Sequence, residues 1–395
     1  MATMRLSQRM SRLGTETAFD VLVRAKALEA KGKHIIHLEI GEPDFDTPAN
    51  IVEAGINALR NGAHHYGPSP GLPDLRNTIA NYVSRTRGIK VEPAEVVVTP
   101  GAKPIIFFAA LALLDPGDEV LYPNPGFPIY ESMIEYLGAK AVPIPLVEEK
   151  NWALDTDVLA RNLNPNTKLV ILNSPHNPTG GIIPENELHQ IAELALRYDF
   201  TTLSDEIYSR ILYSGTYHSI ASLPGMKERT IILDGFSKIY AMTGWRLGYG
   251  VMPVSLAEQV SKLQTNATSC TATFTQYAGI EAINGDQSEP EKMVQEFRNR
   301  RDLIVNGLNK IPGFNCKMPQ GAFYVFPNIQ KLGIPSRKLA DLILEEGGVA
   351  CLSGTAFGAM GEGYLRFSYA NSSDNIREAL RRIERVVKDS KLVSF

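Results

Sequence analysis

Between residues 95 and 251 the chain repeats one pattern: a short apolar run, a polar turn, then a helix-forming stretch. The runs fall at residues 95–99, 119–122, 141–144, 168–172, 201–204, 230–233 and 246–251. Helices are predicted over 72–87, 103–114, 127–137, 156–163, 185–198 and 256–264. Runs such as Val96-Val-Val98 and Leu169-Val-Ile-Leu172 show no polar alternation. A strand that is apolar on both sides is covered on both sides, which is the signature of a parallel sheet between helices. The alternation therefore predicts an α/β fold with a mostly parallel seven-stranded sheet flanked by helices.

The pattern changes beyond residue 283. Asn284-Gly-Asp-Gln-Ser-Glu-Pro290 reads as a loop. A long charged helix follows at 291–310, then strands at 322–325 and 364–368 and helices at 336–346 and 375–390. These describe a smaller α/β domain. The stretch 17–31 carries an apolar stripe at Ala18, Val21, Leu22, Ala25 and Leu28, so it is expected to be an amphipathic helix. It precedes the sheet and is expected to pack on the smaller domain. The division expected is 46–285 for the large domain and 1–45 plus 286–395 for the small one.

Charge and cysteine usage narrow the function classes. The 395 residues hold 40 basic and 43 acidic side chains, a formal net charge of −3. Such a balance excludes a dense basic surface for nucleic acid. With 44% hydrophobic residues the chain is not a disordered one. Cys270, Cys316 and Cys351 are too scattered for a disulfide framework or a Cys-based zinc site. The N-terminus lacks the apolar core of a secretory signal, and no apolar run reaches membrane length. A cytoplasmic protein is expected, with no metal and no membrane partner.

In open parallel sheets ligands bind outside the carboxyl ends of the strands, so the residues just after each run matter most. Pro100-Gly101-Ala102-Lys103 opens a helix after the first run. It is compatible with an ordinary turn and with an anion site made of free N–H groups. Asn173-Ser-Pro-His-Asn177-Pro-Thr-Gly180 is a rigid loop in which Asn177 is free to present its amide and His176 reads as structural. Asp205, in Asp205-Glu-Ile-Tyr208, is either a helix cap or a functional carboxylate. Lys238, among Phe236, Ile239 and Tyr240, is either a snorkelling lysine or a desolvated amine. Each signal alone is ambiguous. Together they set a phosphate-type turn, an amide, an acid, a lysine and Arg246 at successive strand ends.

With these residues in place, the chain resembles the fold type I, class I/II pyridoxal-phosphate-dependent aminotransferases, most of all the bacterial aspartate-aminotransferase-like branch. The resemblance spans nearly the whole chain. It rests on Gly41-Glu-Pro-Asp-Phe45, Tyr66-Gly-Pro-Ser-Pro-Gly-Leu-Pro-Asp-Leu-Arg76, the Asn173–Gly180 loop, Asp205–Tyr208, Tyr364-Leu-Arg366-Phe-Ser and Ser237-Lys238, with Arg246 eight positions later. It implies pyridoxal 5'-phosphate as cofactor. Lys238 would hold it as an internal aldimine and then move a proton as general base. Asp205 would face the ring nitrogen, Tyr208 and Asn177 the phenolic oxygen, and Phe127 would stack on the ring. Gly101, Ala102, Lys103, Ser237 and Arg246 would hold the phosphate. Tyr66 would reach the phosphate of a neighbouring subunit, which implies a homodimer with shared sites. Arg366 would grip the substrate α-carboxylate, and Gly41 would let substrate approach the backbone. An amino acid and a 2-oxo acid such as 2-oxoglutarate would be the substrates.

Two departures bear on specificity. Gly235 stands where some relatives carry a phosphate-binding serine. The stretch Thr265-Asn-Ala-Thr-Ser-Cys-Thr-Ala-Thr273 has no arginine for a distal carboxylate, so the preferred donor stays open among aspartate, aromatic and small neutral amino acids. Two other functions remain to be weighed. One is a β-lyase using the same cofactor. The other is a cofactor-binding regulator, for which the chain is expected to leave no room beside the family region. His34 and His37 fall on opposite faces of a strand and are not read as a metal pair. His64-His65 and the run Arg298-Asn-Arg-Arg301 read as surface.

Overall fold

The computed structural model describes residues 4–390; residues 1–3 and 391–395, the outermost parts of the expected small domain, lie outside them. One sheet of eight strands organises the large part of the chain. Its spatial order is Val96–Thr99, Gly248–Val251, Thr230–Gly235, Thr201–Asp205, Thr167–Asn173, Glu119–Asn124, Lys140–Val147 and Ala153–Leu154. The five strands from Thr230–Gly235 to Lys140–Val147 are parallel. Gly248–Val251 runs antiparallel to both its neighbours.

The seven expected strands are all present, and the eighth is an addition. Ala153–Leu154 is a two-residue return on Lys140–Val147, too short to leave a pattern. The chain turns into it through Asn151 and Trp152, both at positive φ. The strand expected over 246–251 starts only at Gly248. Arg246 sits at a φ of 52°, outside the extended region.

The apolar runs are buried as their composition requires. Successive side chains alternate between two covered faces. Val120, Tyr122, Leu169 and Ile171 pack with Ile105, Phe108 and Met133 on one side. Leu121, Val170 and Leu172 pack with Leu188, Ile191 and Ala195 on the other. Helix Glu185–Tyr198 ends where expected, at Asp199 in the left-handed conformation. Helices Ala49–Arg60 and Thr273–Asn284 were not expected. The second buries Thr275, Gln276 and Gly279, which interrupt any apolar stripe.

The two ends of the chain meet. Ile36–His37 pairs in parallel with Val349–Ala350. Ala25 of helix Thr17–Glu29 is buried with Ile35, Leu344 and Ala350. A second sheet orders Tyr324–Val325, Leu365–Ser368 and Leu352–Ser353, all antiparallel, and carries Arg366 in its middle strand. Helix Ser373–Asp389, capped by the Ser372 hydroxyl, buries Ile376, Ala379, Ile383, Val386 and Val387.

The connections set the site. After Glu119–Asn124 the chain moves outward to Lys140–Val147, then crosses back to build Thr167–Asn173, Thr201–Asp205 and Thr230–Gly235 on the other side. The order therefore reverses between Glu119–Asn124 and Thr167–Asn173, and a crevice opens at their carboxyl ends. Behind it lies a buried ion network. Arg87 Nε donates to Glu206 at 2.6 Å, and Arg87 Nη2 donates to Asp234 at 3.0 Å. Desolvation pushes the Asp234 carboxyl up to about 7 although Arg87 pulls it down. Arg87→Met leaves two buried carboxylates without their cation. It is expected to cost about 3–5 kcal/mol of unfolding free energy, read from urea titrations. The loss should grow as pH rises through about 7, because the folded state then has to release the proton that burial holds on Asp234. A loss that is small and flat with pH would mean that Arg87 does not neutralise them.

Candidate active site

A cavity of about 480 Å3 opens at the carboxyl ends of the central strands. Asp205, the last residue of its strand, stands opposite Asn173 in the parallel register and lines the floor. Its Oδ2 accepts from the Tyr130 hydroxyl at 2.6 Å, and its Oδ1 accepts from the Ile207 N–H at 3.3 Å. Burial raises this carboxyl to about 6, against the pull of those two donors. It is thus a carboxylate held in a dry place rather than a helix cap, since Ile207 begins no helix.

Tyr208 is buried, and its hydroxyl lies 2.7 Å from that of Tyr324. Desolvation, reinforced by Tyr324, pushes its hydroxyl well up. Arg366 is buried as well. Its guanidinium lies 4.6 Å from the Tyr324 ring centroid and 4.9 Å from that of Phe357. Its Nη1 donates to Asn177 Oδ1 at 3.2 Å, its Nη2 donates to the Glu39 carbonyl, and its buried Nε has no partner. With the Asn177 oxygen engaged, the amide's NH2 is the group left for a ligand.

Lys238 is half-buried, on the wall of the same cavity. Its Nζ donates to the Gly41 carbonyl at 2.6 Å. Desolvation lowers the amine to about 8, with Glu42 opposing the shift. Of the two readings left open for this lysine, the desolvated amine is the one found. Gly41 itself has room for no side chain, because a Cβ would collide with the Tyr324 hydroxyl.

Opposite lies a compact anion cradle. Gly101, at a φ of 85°, leads into helix Lys103–Leu113, where the Ala102 and Lys103 N–H groups make no backbone bond, while Pro104 has none to give and the Ile105 N–H is taken by the Ala102 carbonyl. A Cβ on Gly101 would strike the Arg246 guanidinium, so glycine is what lets that cation approach the turn. Ala102, Ser237 and Arg246 all line the cavity. The Lys103 ammonium points elsewhere: it pairs with Glu16 and lies 5.4 Å from the Phe127 ring centroid. Phe127 lines the cavity beside it. Tyr66 lies outside, 88% exposed. His176 is buried against the Thr179 hydroxyl at 2.9 Å, a loop brace whose imidazole burial pulls down to about 3. Among the described residues no cluster of three or more His, Cys, Asp or Glu could hold a metal, and no helix is long and apolar enough to cross a membrane.

Residues 33–383 match the family described as aminotransferase class I and II. The chain belongs to this family. It is 42% identical to an aspartate aminotransferase of Pyrococcus abyssi, over 91% of this chain and 93% of that one. It is 38% identical to an aromatic-amino-acid aminotransferase of Thermococcus litoralis, over 99% and 100%. An aspartate aminotransferase structure from Thermus thermophilus, solved with maleate, superposes with a TM-score of 0.93 at 35% identity, over 97% of this chain and 100% of that one. The chain is an aminotransferase that depends on pyridoxal phosphate.

The aminotransferase cavity fits that cofactor in the chemistry of its donors. A guanidinium and free N–H groups suit a phosphate. An aromatic face suits a flat ring, and a desolvated carboxylate needs a cationic N–H. An amine that is half neutral near pH 8 suits an aldehyde.

Three residues of the site escaped the sequence reading: Tyr130, Tyr324 and Glu16. Tyr130 follows Phe127 by three residues in an unremarkable helix start, and Tyr324 sits in the aromatic run Phe323-Tyr324 of a short strand. Only that aromatic run was a usable signal. Glu16 gave none.

The lowered Lys238 amine sets a pH dependence. Aldehyde capture needs the neutral form, so the rate at which apoprotein takes up cofactor should rise about tenfold per pH unit below 8 and level off above it. Stopped-flow absorbance across this range reads it. A rate still climbing at pH 10 would show an ordinary lysine.

Proposed function

We propose that the chain transfers the amino group of an α-amino acid, aspartate-like or of broad specificity, to a 2-oxo acid such as 2-oxoglutarate. The observation that carries this reading is the presence of Lys238, Asp205 and Arg366 on one cavity. When bound, the cofactor supplies an electron sink for the bond that breaks at the substrate Cα. The residues do the rest.

Arg366 binds the α-carboxylate through its planar fork, its place fixed by Asn177, the Glu39 carbonyl and the ring of Tyr324. That grip orients the Cα–H bond toward Lys238. Lys238 would hold the cofactor through its amine, and once free its Nζ is the group that would take the proton from the substrate Cα and hand it back one position away. An amine near 8 can both accept and release that proton. Asp205, kept aimed by Tyr130, would hold a proton on the ring nitrogen. Tyr208 and Asn177 would donate to the phenolic oxygen. Phe127 would cover the ring, and Gly101, Ala102, Lys103 (through its backbone), Ser237 and Arg246 would hold the phosphate. Gly41 supplies a wall of bare backbone beside the substrate.

The reading extends to a homodimer, in which Tyr66 of one subunit reaches the phosphate of the other. Its 88% exposure leaves the side chain free to reach a neighbouring subunit and supports this. We also assign 46–285 to a large cofactor-binding domain and 1–45 plus 286–395 to a smaller one.

The purified protein should be yellow, with a visible band that shifts when a donor amino acid is added. A panel of donors against 2-oxoglutarate and pyruvate tests the substrate class; no turnover with any pair would sink the reading. Lys238→Ala should bind cofactor without the covalent link and lose about 10²–10⁴ in turnover. Near-normal turnover would overturn its role. Tyr66→Phe should weaken cofactor retention about tenfold if it donates to phosphate across the interface. Retention unchanged in a protein that sediments as a monomer would overturn the shared site.

A further inference from the structure

With the groups of the proposed reaction assigned, two charged side chains in the cavity are left over. Asp205, Lys238, Arg246 and Arg366 each have a task, and Glu42 accepts from the Thr243 hydroxyl. The Lys103 ammonium and the Glu16 carboxylate remain, and they are paired with each other.

The pairing is an unusual use of Glu16. This residue is at the N-cap of helix Thr17–Glu29, where negative charge is favoured and a carboxylate could accept from the free N–H groups of the first turn. It makes no such bond. Its carboxylate crosses to Lys103, 87 residues away in sequence. It is also the more enclosed partner, with 16% of its side chain exposed against 43% for Lys103. Glu16 lines the recess beside Arg366 as well, with Leu352 and Phe357. A substrate whose α-carboxylate lies on Arg366 therefore extends its side chain toward this pair. The surroundings are Phe19, Ala18 and Phe127.

We propose that Glu16 sets the side-chain specificity of the site by competing with the substrate's distal carboxylate for Lys103. This rests on the aminotransferase reading above. With the pair closed, the far end of the cavity is electrically neutral and flanked by aromatic rings, a surface on which a neutral or aromatic side chain packs without losing a charge's hydration. An acidic side chain must take Lys103 from Glu16. Two carboxylates on one half-enclosed ammonium repel each other, so Glu16 has to leave before the substrate is held. The site accepts acidic substrates at a penalty, and neutral ones without it.

The test uses the holoenzyme, with succinate and 3-phenylpropionate as unreactive acidic and aromatic ligands, titrated by calorimetry. The kcat/KM values for aspartate and phenylalanine are measured beside them. In Glu16→Gln, and in Glu16→Ala as a second variant, succinate should bind about tenfold more tightly, close to 1.4 kcal/mol, with little change for 3-phenylpropionate. The aspartate-to-phenylalanine ratio of kcat/KM should rise by a similar factor. Adding Lys103→Met should erase the gain. Equal shifts for both ligands, no shift for either, or a gain that survives Lys103→Met overturns the proposal. Loss of the visible band and of all turnover in the unmodified protein would strike the aminotransferase reading instead, so the two failures are distinguishable.

Discussion

A carboxylate taken out of water governs the arrangement around it. Asp205 ends a strand whose neighbours are parallel, so the strand ends open together onto one crevice. Burying its charge is unfavourable, and the Tyr130 hydroxyl and the Ile207 N–H offset only part of that cost, which is why the carboxyl sits near 6. A cationic N–H is the partner this environment lacks, and one placed there would lower the carboxyl again.

The adjacent acid has been separated from it. Asp205 and Glu206 are consecutive, and two carboxylates facing one cavity would raise each other. Extended backbone sends successive side chains to opposite sides. Asp205 turns to Tyr130 and the cavity, while Glu206 turns back to Arg87, Ser204 and Ser219. The Arg87 network thus keeps the second charge neutralised behind the sheet, and the first is free to meet a ligand. The pairing Asp-Glu in the sequence is thus one acid on the cavity and one bound into the network behind the sheet.

The fold was legible where pattern is local. Strands covered on both faces are largely apolar, and the seven were read from such runs together with their alternation with helices. The eighth, Ala153–Leu154, is held by a turn and a neighbour rather than by its own pattern. Helix Thr273–Asn284 was hidden because a helix enclosed by protein can carry Thr275, Gln276 and Gly279 inward. In the site, residues fixed by a strand end or a glycine turn, such as Asp205, Lys238 and Gly101, could be found in sequence. Tyr130 meets Asp205 across 75 residues, and Tyr324 meets Tyr208 across 116. Contacts of that span depend on how the layers close, and no local spacing encodes them.

Tyr324 shows what such closure achieves. Its hydroxyl meets that of Tyr208, its ring lies against the Arg366 guanidinium, and its edge excludes any side chain at Gly41. Gly41 in turn offers its carbonyl to Lys238. One side chain from the small sheet therefore ties together Arg366, Tyr208 and the backbone that receives Lys238. These groups sit on elements from both ends and the middle of the chain, and a displacement of the small sheet would shift them together rather than singly. How Arg366, Tyr208 and Lys238 stand relative to one another is thus a property of the packing between the two sheets, with Tyr324 as the contact through which it acts.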